Sequence, residues 1–156
     1  MNTFFRFFVL MVIASSIVFN GCKKDDKSNA STTPTYTKVL TATIGGVAFS
    51  ASLPMSQMSM GNLQISGTNA AGALQIILPY NVGTGTITVT EDSPSTISWT
   101  SGQNAYVPGT GTIIITKHDV TNNIIEGTFS ANLKEFETNA PLQITNGVFK
   151  ITYVEQ

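Results

Sequence analysis

Cysteine is nearly absent from this sequence of 156 residues, which contains a single one, Cys22. One cysteine cannot form an intramolecular disulfide, and it cannot supply a zinc site built from several thiolates. Tryptophan and histidine are equally rare, with Trp99 and His118 as the only examples. Stability must therefore come from side-chain packing.

Positive charge is also scarce, since Arg6 is the only arginine. Beyond residue 21 the chain has 7 lysines and 9 acidic residues, which gives a net charge of 7 − 9 = −2. A protein that binds nucleic acid needs a basic surface to neutralise phosphates. We therefore expect no nucleic-acid partner.

Long apolar runs are limited to one, at residues 7–19, and it ends shortly before Gly21 and Cys22. Its length is that of a secretory h-region and is too short to span a bilayer as a helix. The segment resembles the lipobox of bacterial lipoproteins, in which the cysteine is acylated and the leader is removed. The resemblance implies a signal peptide over residues 1–21 and attachment to the membrane through lipid on Cys22.

Two positions depart from the commoner lipobox, because Phe19 replaces the usual Leu and Asn20 replaces a small residue. Looser lipoboxes of this kind occur in the Bacteroidota. The alternatives are an ordinary signal peptide with an incidental cysteine, or an uncleaved anchor. A lone cysteine in an exported chain is a reactive liability, and lipidation accounts for its presence. Two or three acyl chains would make the attachment effectively permanent.

Four charged residues follow the cysteine: Lys23, Lys24, Asp25 and Asp26. A lysine followed by two acidic residues resembles the export signal that sends some Bacteroidota lipoproteins to the outer face of the outer membrane. It implies display at the cell surface, with a periplasm-facing lipoprotein as the alternative. Without that signal, the charges would only solvate a tether. Residues 22–36 have little to bury, so we predict a disordered tether there.

Helical periodicity is missing from the remainder of the chain, residues 37–156, which instead shows short alternating runs separated by Gly, Asn and Pro. The clearest runs are 39–44, 47–51, 63–66, 73–78, 86–90, 111–117, 124–133 and 147–154. Gly45-Gly46 is a two-residue hairpin signal. We predict an all-β domain of about eight or nine strands, an antiparallel β-sandwich with a flattened up-and-down β-barrel as the alternative.

Four strand-and-turn motifs stand out in this domain, at residues 42–50, 115–119, 125–130 and 144–149. In that order they resemble a family of small Bacteroidota lipoproteins whose domain has no known function. The resemblance covers most of residues 40–154. It implies the β fold and the membrane address, and it implies no activity.

His118 and Asp119 are the only adjacent imidazole and carboxylate. Neighbouring residues on a strand point to opposite faces, and no Gly-x-Ser-x-Gly elbow accompanies them. We expect Asp119 to accept backbone N–H bonds in a hairpin turn and His118 to be exposed. No catalytic residue is therefore predicted.

The other acidic residues lie in two clusters, Glu91-Asp92 and Glu135 with Glu137. A glycosidase needs two carboxylates across a cleft, and a calcium site needs more oxygen ligands than either cluster offers. We interpret both clusters as solvated loop charges. A hydrolase assembled from scattered acids and His118 stays open as an alternative.

Met55, Met58 and Met60 lie unusually close together. Thioethers bind Cu(I), but methionine also fills irregular gaps in a core. No histidine or cysteine lies nearby in the sequence, so packing is the preferred interpretation. No metal site and no cofactor are predicted.

The segment 91–108 reads as a long polar loop that contains Trp99 and Tyr106, and Tyr80 could lie close to both. Exposed aromatic side chains on loops over a rigid sheet commonly stack on sugars or grip partners. We predict a binding site for a glycan or an envelope protein at these three residues. The alternatives are that Trp99 fills the core, and that the protein is a structural or accessory lipoprotein with no small-molecule ligand.

Overall fold

The computed structural model describes residues 36–154, and its regular elements are all β-strands. They are β1 (Val39–Ile44), β2 (Val47–Ser50), β3 (Met55–Ser59), β4 (Asn62–Asn69), β5 (Gly72–Pro79), β6 (Gly85–Thr90), β7 (Thr96–Ser101), β8 (Asn104–Asp119), β9 (Ile124–Glu135) and β10 (Pro141–Thr152). Over this range no helix is long and apolar enough to cross a bilayer.

The strands form one antiparallel sheet in the order β2-β1-β10-β9-β8-β7-β5-β4-β3. β8 is long enough to take two neighbours along one edge, because β6 pairs with its residues 110–115 and β7 pairs with residues 104–106. The predicted all-β antiparallel class is confirmed. The sheet is a curled half-barrel, intermediate between the sandwich and the barrel considered from the sequence.

Residues 36–154 contain ten strands, and the two that sequence reasoning missed are β3 and β7. Both consist mainly of Ser, Thr, Gln and Met, so their alternation is weak. β7 nevertheless alternates, since Ile97 and Trp99 are buried while Thr96 and Ser98 are only half-buried. The predicted loop over 91–108 is therefore wrong, because β7 and the beginning of β8 occupy most of it.

The inner face of the sheet forms the hydrophobic core. Period-two alternation places one side of each strand there, as in β9, where Phe129 is buried between exposed Thr128 and Ser130 and Leu133 is buried between exposed Asn132 and Lys134. Aliphatic side chains from β1, β4, β5, β8 and β10 fill the remaining interior. Burial of this apolar surface is the main stabilising term, at roughly 25 cal/mol per Å².

Two glycines let aromatic rings lie flat across the inner face. A Cβ at Gly127 would lie 2.5 Å from Cζ of Phe149, and one at Gly147 would lie 2.6 Å from the ring of Phe129. The backbone of β10 also bulges between Ile144 and Gly147. Glycines and bulges of this kind allow a sheet to bend sharply, which explains how it curls.

The curled sheet nearly closes on itself at β3. The Met58 N–H donates to the Val154 carbonyl at 3.1 Å, and the Ser56 hydroxyl donates to the Thr152 carbonyl at 2.8 Å. Gln57 and Val154 form a parallel bridge. The residues after β10 thus cover part of an edge strand that would otherwise expose unpaired backbone groups.

Candidate functional site

The structure places Trp99 in the core rather than on a loop. Its side chain is 5% exposed, and its ring meets that of Phe49 edge-on, with centroids 5.3 Å apart. Tyr106 is its direct cross-strand partner and packs against the same core. The predicted exposure of Trp99 is wrong, because strand β7 turns Ile97 and Trp99 inward together.

Tyr80 lies far from these two aromatic residues. Trp99 pairs with Leu74 on β5, whereas Tyr80 follows the far end of that strand. The intervening residues separate them by about 20 Å along the strand at ~3.3 Å per residue. The structure thus brings Trp99 and Tyr106 together and leaves Tyr80, which is 39% exposed, elsewhere.

The residues predicted for anchoring and export lie outside the described range. They are Cys22, Lys23, Lys24, Asp25 and Asp26, together with the signal peptide and most of the tether. Lipidation and display therefore stay predictions.

His118 and Asp119 are both engaged in structural hydrogen bonds. His118 Nδ1 donates to the Val82 carbonyl at 2.7 Å, which leaves Nε2 of the neutral ring to accept the Tyr153 hydroxyl at 3.0 Å. Asp119 accepts both the backbone and the side-chain N–H of Asn122. These bonds to Asn122 hold the pKa of the Asp119 carboxyl below its usual range. The predicted turn role of Asp119 is confirmed, whereas His118 is half-buried rather than exposed.

One residue of each acidic cluster has a hydrogen-bond partner close by. Glu91 accepts a hydrogen bond from Lys134 Nζ at 2.6 Å, and this partner lowers the pKa of the Glu91 carboxyl. Glu135 instead contacts the hydroxyl of Thr138. Among residues 36–154, no group of three or more His, Cys, Asp or Glu side chains could hold a metal ion.

The three methionines do not converge either. Met58 packs against the core, while Met55 and Met60 are exposed. Met60 lies in the two-residue turn between β3 and β4 with a φ of 51°, and Gly61 follows with a φ of 76°. Two positive φ values are the requirement of a type I′ turn, in which Asn or Gly is normally found.

The surface best suited to a ligand lies on the outer face of β6, β8, β9 and β10. Short hydroxyl and amide side chains stand there in register across the strands. One row contains Thr88, Thr112 and Ser130, and the next contains Thr90, Thr110, Asn132 and Gln143. Adjacent members are about 4.8 Å apart, the spacing of paired strands. We name these two rows the hydroxyl face.

Two open hollows lie over the hydroxyl face, with volumes of about 410 and 430 Å³. Their lining contains no ionisable side chain, and the first also includes the exposed apolar residues Ile114 and Val148. A third hollow next to them is lined by Glu91, Asp92 and Lys134. The arrangement offers neutral hydrogen-bond donors and acceptors beside a small apolar strip, which suits an uncharged polar ligand.

Sequence reasoning missed this face, although its signal is present. Threonine or serine recurs at every second position in 86–90 and in 128–130, and in 110–112. Such alternation is equally typical of any solvent-exposed strand surface. Only the pairing of β6, β8, β9 and β10 shows that the hydroxyls form one continuous area.

Residues 36–151 match the family described as domain of unknown function DUF6252. The chain belongs to this family. The resemblance inferred from the four strand-and-turn motifs is thereby confirmed for the domain, while the lipobox, the export motif and the bacterial group are separate inferences. No curated protein matches the chain, and no solved structure matches it. Family membership assigns no activity.

Proposed function

We propose that this protein is an outer-membrane lipoprotein whose non-catalytic β domain binds an uncharged glycan or the surface of an envelope protein. The hydroxyl face carries the proposal, because it joins hollows of about 410 and 430 Å³ that present hydroxyl and amide groups without charge. Sugars are recognised by such groups, and an apolar strip can contact the C–H face of a ring. The site thus replaces the one predicted around Trp99.

The environment of the ionisable groups supports a binding role over a hydrolytic one. A general base needs a free nitrogen or carboxylate within reach of substrate. His118 uses both ring nitrogens within the fold, and the Asp119 carboxylate is held by Asn122. A carboxyl group that acts as a general acid needs a raised pKa, whereas hydrogen bonds lower the pKa of Glu91 and of Asp119.

The proposed membrane attachment and cellular location rest on the sequence at residues 7–26. The apolar run, Gly21-Cys22 and the charged residues 23–26 support lipidation at Cys22 and display on the outer face of the outer membrane. A domain held outside the cell would meet extracellular or envelope glycans. A structural or accessory lipoprotein without a small-molecule ligand is the second candidate, because the hollows on the hydroxyl face are open and shallow rather than enclosed.

The binding proposal is tested by filling the hydroxyl face. Ser130 is exposed at its centre, and tyrosine is a favourable strand residue, so Ser130→Tyr should fold while blocking the hollows. Thr100→Tyr, at an exposed position on β7, is the matched control. On an array of bacterial and plant polysaccharides, we expect Ser130→Tyr to weaken binding at least ~10-fold, equivalent to ~1.4 kcal/mol, and Thr100→Tyr to bind normally.

Two results would contradict the proposal. Equal binding by both variants would remove the hydroxyl face as the site. If the unaltered protein binds no polysaccharide, and captures no envelope protein that Ser130→Tyr fails to capture, the binding role itself is wrong.

Display on the cell surface is tested separately, by protease treatment of intact cells. We expect the native protein to be digested, and a variant with Lys24, Asp25 and Asp26 changed to Ala to be protected. Protection of both proteins would contradict surface display. Labelled palmitate should enter the native protein and not Cys22→Ser.

A further inference from the structure

A second surface lies at one end of the sheet, where several loops are joined by hydrogen bonds. His118 connects the Val82 loop to Tyr153. The Tyr80 N–H donates to the Gly61 carbonyl at 2.9 Å, and the Tyr153 N–H donates to the Asn123 carbonyl at 2.9 Å. We name this the His118 end. It comprises the turn at 60–61, the loop at 80–84, the turn at 120–123 and residues 153–154.

Apolar side chains project from these loops into solvent. Met60 is 97% exposed, Val154 is 63% exposed and Val120 is 56% exposed, and Tyr80 lines a hollow of about 370 Å³ together with Met60. Met60 also occupies a left-handed conformation, with a φ of 51°, that Asn or Gly would adopt more easily. Single exposed apolar residues are common on protein surfaces, but here several lie at one end of the sheet, and one of them is held in a strained conformation.

The chain that leads back to Cys22 enters the domain at this same end. β1 begins at Val39, opposite Lys150, close to the end of β10. Tyr36 is fixed there because its hydroxyl donates to Glu126 Oε1 at 2.8 Å and Lys150 Nζ lies 4.6 Å from its ring centroid. Burial and the neighbouring Glu126 carboxylate raise the pKa of Tyr36. Any anchor on Cys22 is therefore connected to the His118 end.

Charge distinguishes the two ends of the domain. Among residues 36–154, the His118 end has three lysines, at 38, 117 and 150, and two acids, at 119 and 126, a net charge of 3 − 2 = +1, and Glu155, the next residue in the sequence after Val154, brings the sum to 0. The opposite end has acids at 91, 92, 135 and 137 and one lysine at 134, a net charge of 1 − 4 = −3. Exposed apolar residues occur there too, notably Phe136. An anionic lipid surface would repel that end and would not repel the His118 end.

We propose that the His118 end docks on the lipid bilayer, with Met60, Tyr80, Val120 and Val154 entering the headgroup region. The proposal rests on the lipid anchor of the proposed function and adds an orientation to it. Tyrosine and apolar loop tips favour the membrane interface. The hydroxyl face lies along the side of the sheet and stays accessible in this orientation.

Because the segment between Cys22 and the domain is short, even a weak contact with the bilayer is enough to keep the domain docked. A flexible tether over residues 23–35, as the sequence predicts, would span roughly 20 Å, at about 5–6 Å × √n. A domain held within that distance experiences an effective concentration in the millimolar range. The docked state is then populated even when the free domain has no measurable affinity for vesicles.

Hydrogen exchange on vesicle-coupled protein tests the proposal. Chain 22–156 is joined through the Cys22 thiol to maleimide-lipid in vesicles of phosphatidylethanolamine with a minority of phosphatidylglycerol. This coupling replaces cellular lipidation, so the result does not depend on whether the cell acylates Cys22. We expect exchange at 60–61, 80–84 and 120–123 to slow by about 10-fold relative to uncoupled protein, while the turns at 45–46 and 102–103 are unchanged.

The decisive variant is Met60→Asn with Tyr80→Ser, which removes two apolar tips and places a preferred residue in the turn. It should fold, exchange normally at 45–46, and lose the protection at the His118 end. Thr68→Ala, at an exposed position on β4, is the control and should keep the protection.

Three results would overturn the docking. The first is that amides of the His118 end exchange at the same rate in coupled and uncoupled protein. The second is that coupling slows exchange at the opposite end, around Phe136, instead. The third is that the Met60→Asn, Tyr80→Ser variant keeps the slowed exchange at the His118 end. Each would leave lipidation at Cys22 untouched, because palmitate labelling in cells reports on that step alone.

Discussion

At the scale of single residues, two side chains differ in exposure from what their position in the sequence suggests. Trp99, which the sequence places in a predicted binding loop, is buried against Phe49. Met60, an apolar residue, is almost fully exposed in a turn. The backbone at Met60 has a φ of 51°. A non-glycine residue held in the left-handed region carries strain of order 1–3 kcal/mol, and Asn carries less because its short polar side chain tolerates it.

Met60→Asn should therefore raise the free energy of unfolding, by about 1 kcal/mol. The change relieves strain in the turn and removes an apolar side chain from water. Urea unfolding followed by Trp99 fluorescence would measure it, since Trp99 is the only tryptophan. Ser59→Asn, one residue earlier on the exposed strand β3, is the control. A variant less stable than the native protein would contradict the strain argument.

At the scale of elements, two central strands depend on glycines that face the core. A Cβ at Gly127 would approach the Ile114 carbonyl to 2.3 Å and Cζ of Phe149 to 2.5 Å. Neither atom can move easily, because Ile114 is paired within the sheet and the Phe149 ring is buried. The glycine is therefore required by close approach of its neighbours rather than by an unusual φ.

Gly127→Ala should lower the free energy of unfolding by ~2 kcal/mol, the usual cost of overpacking a core. Gly83→Ala is the matched control, because its Cβ would meet nothing within 4 Å. That change should be neutral or slightly stabilising, since alanine reduces the entropy of the unfolded chain. Equal unfolding midpoints in guanidinium for the two variants would show that the Phe149 ring can shift.

At the scale of the whole molecule, stability should be unequal across the sheet. β9 is paired on both sides along its length, with β8 and β10, whereas β6 is paired only with β8 among the described strands. β3 is covered on its outer edge by little more than the Val154 bridge. Local opening is easiest where few neighbours hold a strand.

Native-state hydrogen exchange should reflect this order. We expect the amides of residues 125–133 in β9 to exchange at least ~100-fold more slowly than those of residues 86–89 in β6 and 55–59 in β3. Mass spectrometry of peptic fragments at neutral pH would resolve these segments. Uniform protection would mean that the sheet opens only by global unfolding, and that the curled edges are held more firmly than their pairing indicates.

The sequence alone determined which side of most strands is buried. Alternation in 86–90 and 124–133 predicts the inward residues, Ile87 and Val89 in the first and Ile125, Phe129, Ala131 and Leu133 in the second, and Gly45-Gly46 predicts its hairpin, because pleating and turn geometry are local properties. Both predictions agree with the structure, where Gly45 and Gly46 have φ values of 57° and 82°. Strand β7 was not predicted from the sequence, because Ser and Thr are common both in loops and in exposed strands.

Only the tertiary structure decided which of these local surfaces meet. The strand order places β10 beside β1 and inserts β7 between β5 and β8. That order separates Tyr80 from Trp99 and gathers the threonines of β6 and β8 with Ser130 and Asn132 of β9. It also brings Tyr153 to His118. Long-range pairing depends on the packing of the whole core and on loop closure. Alternation within a single strand does not indicate which other strands will pair with it.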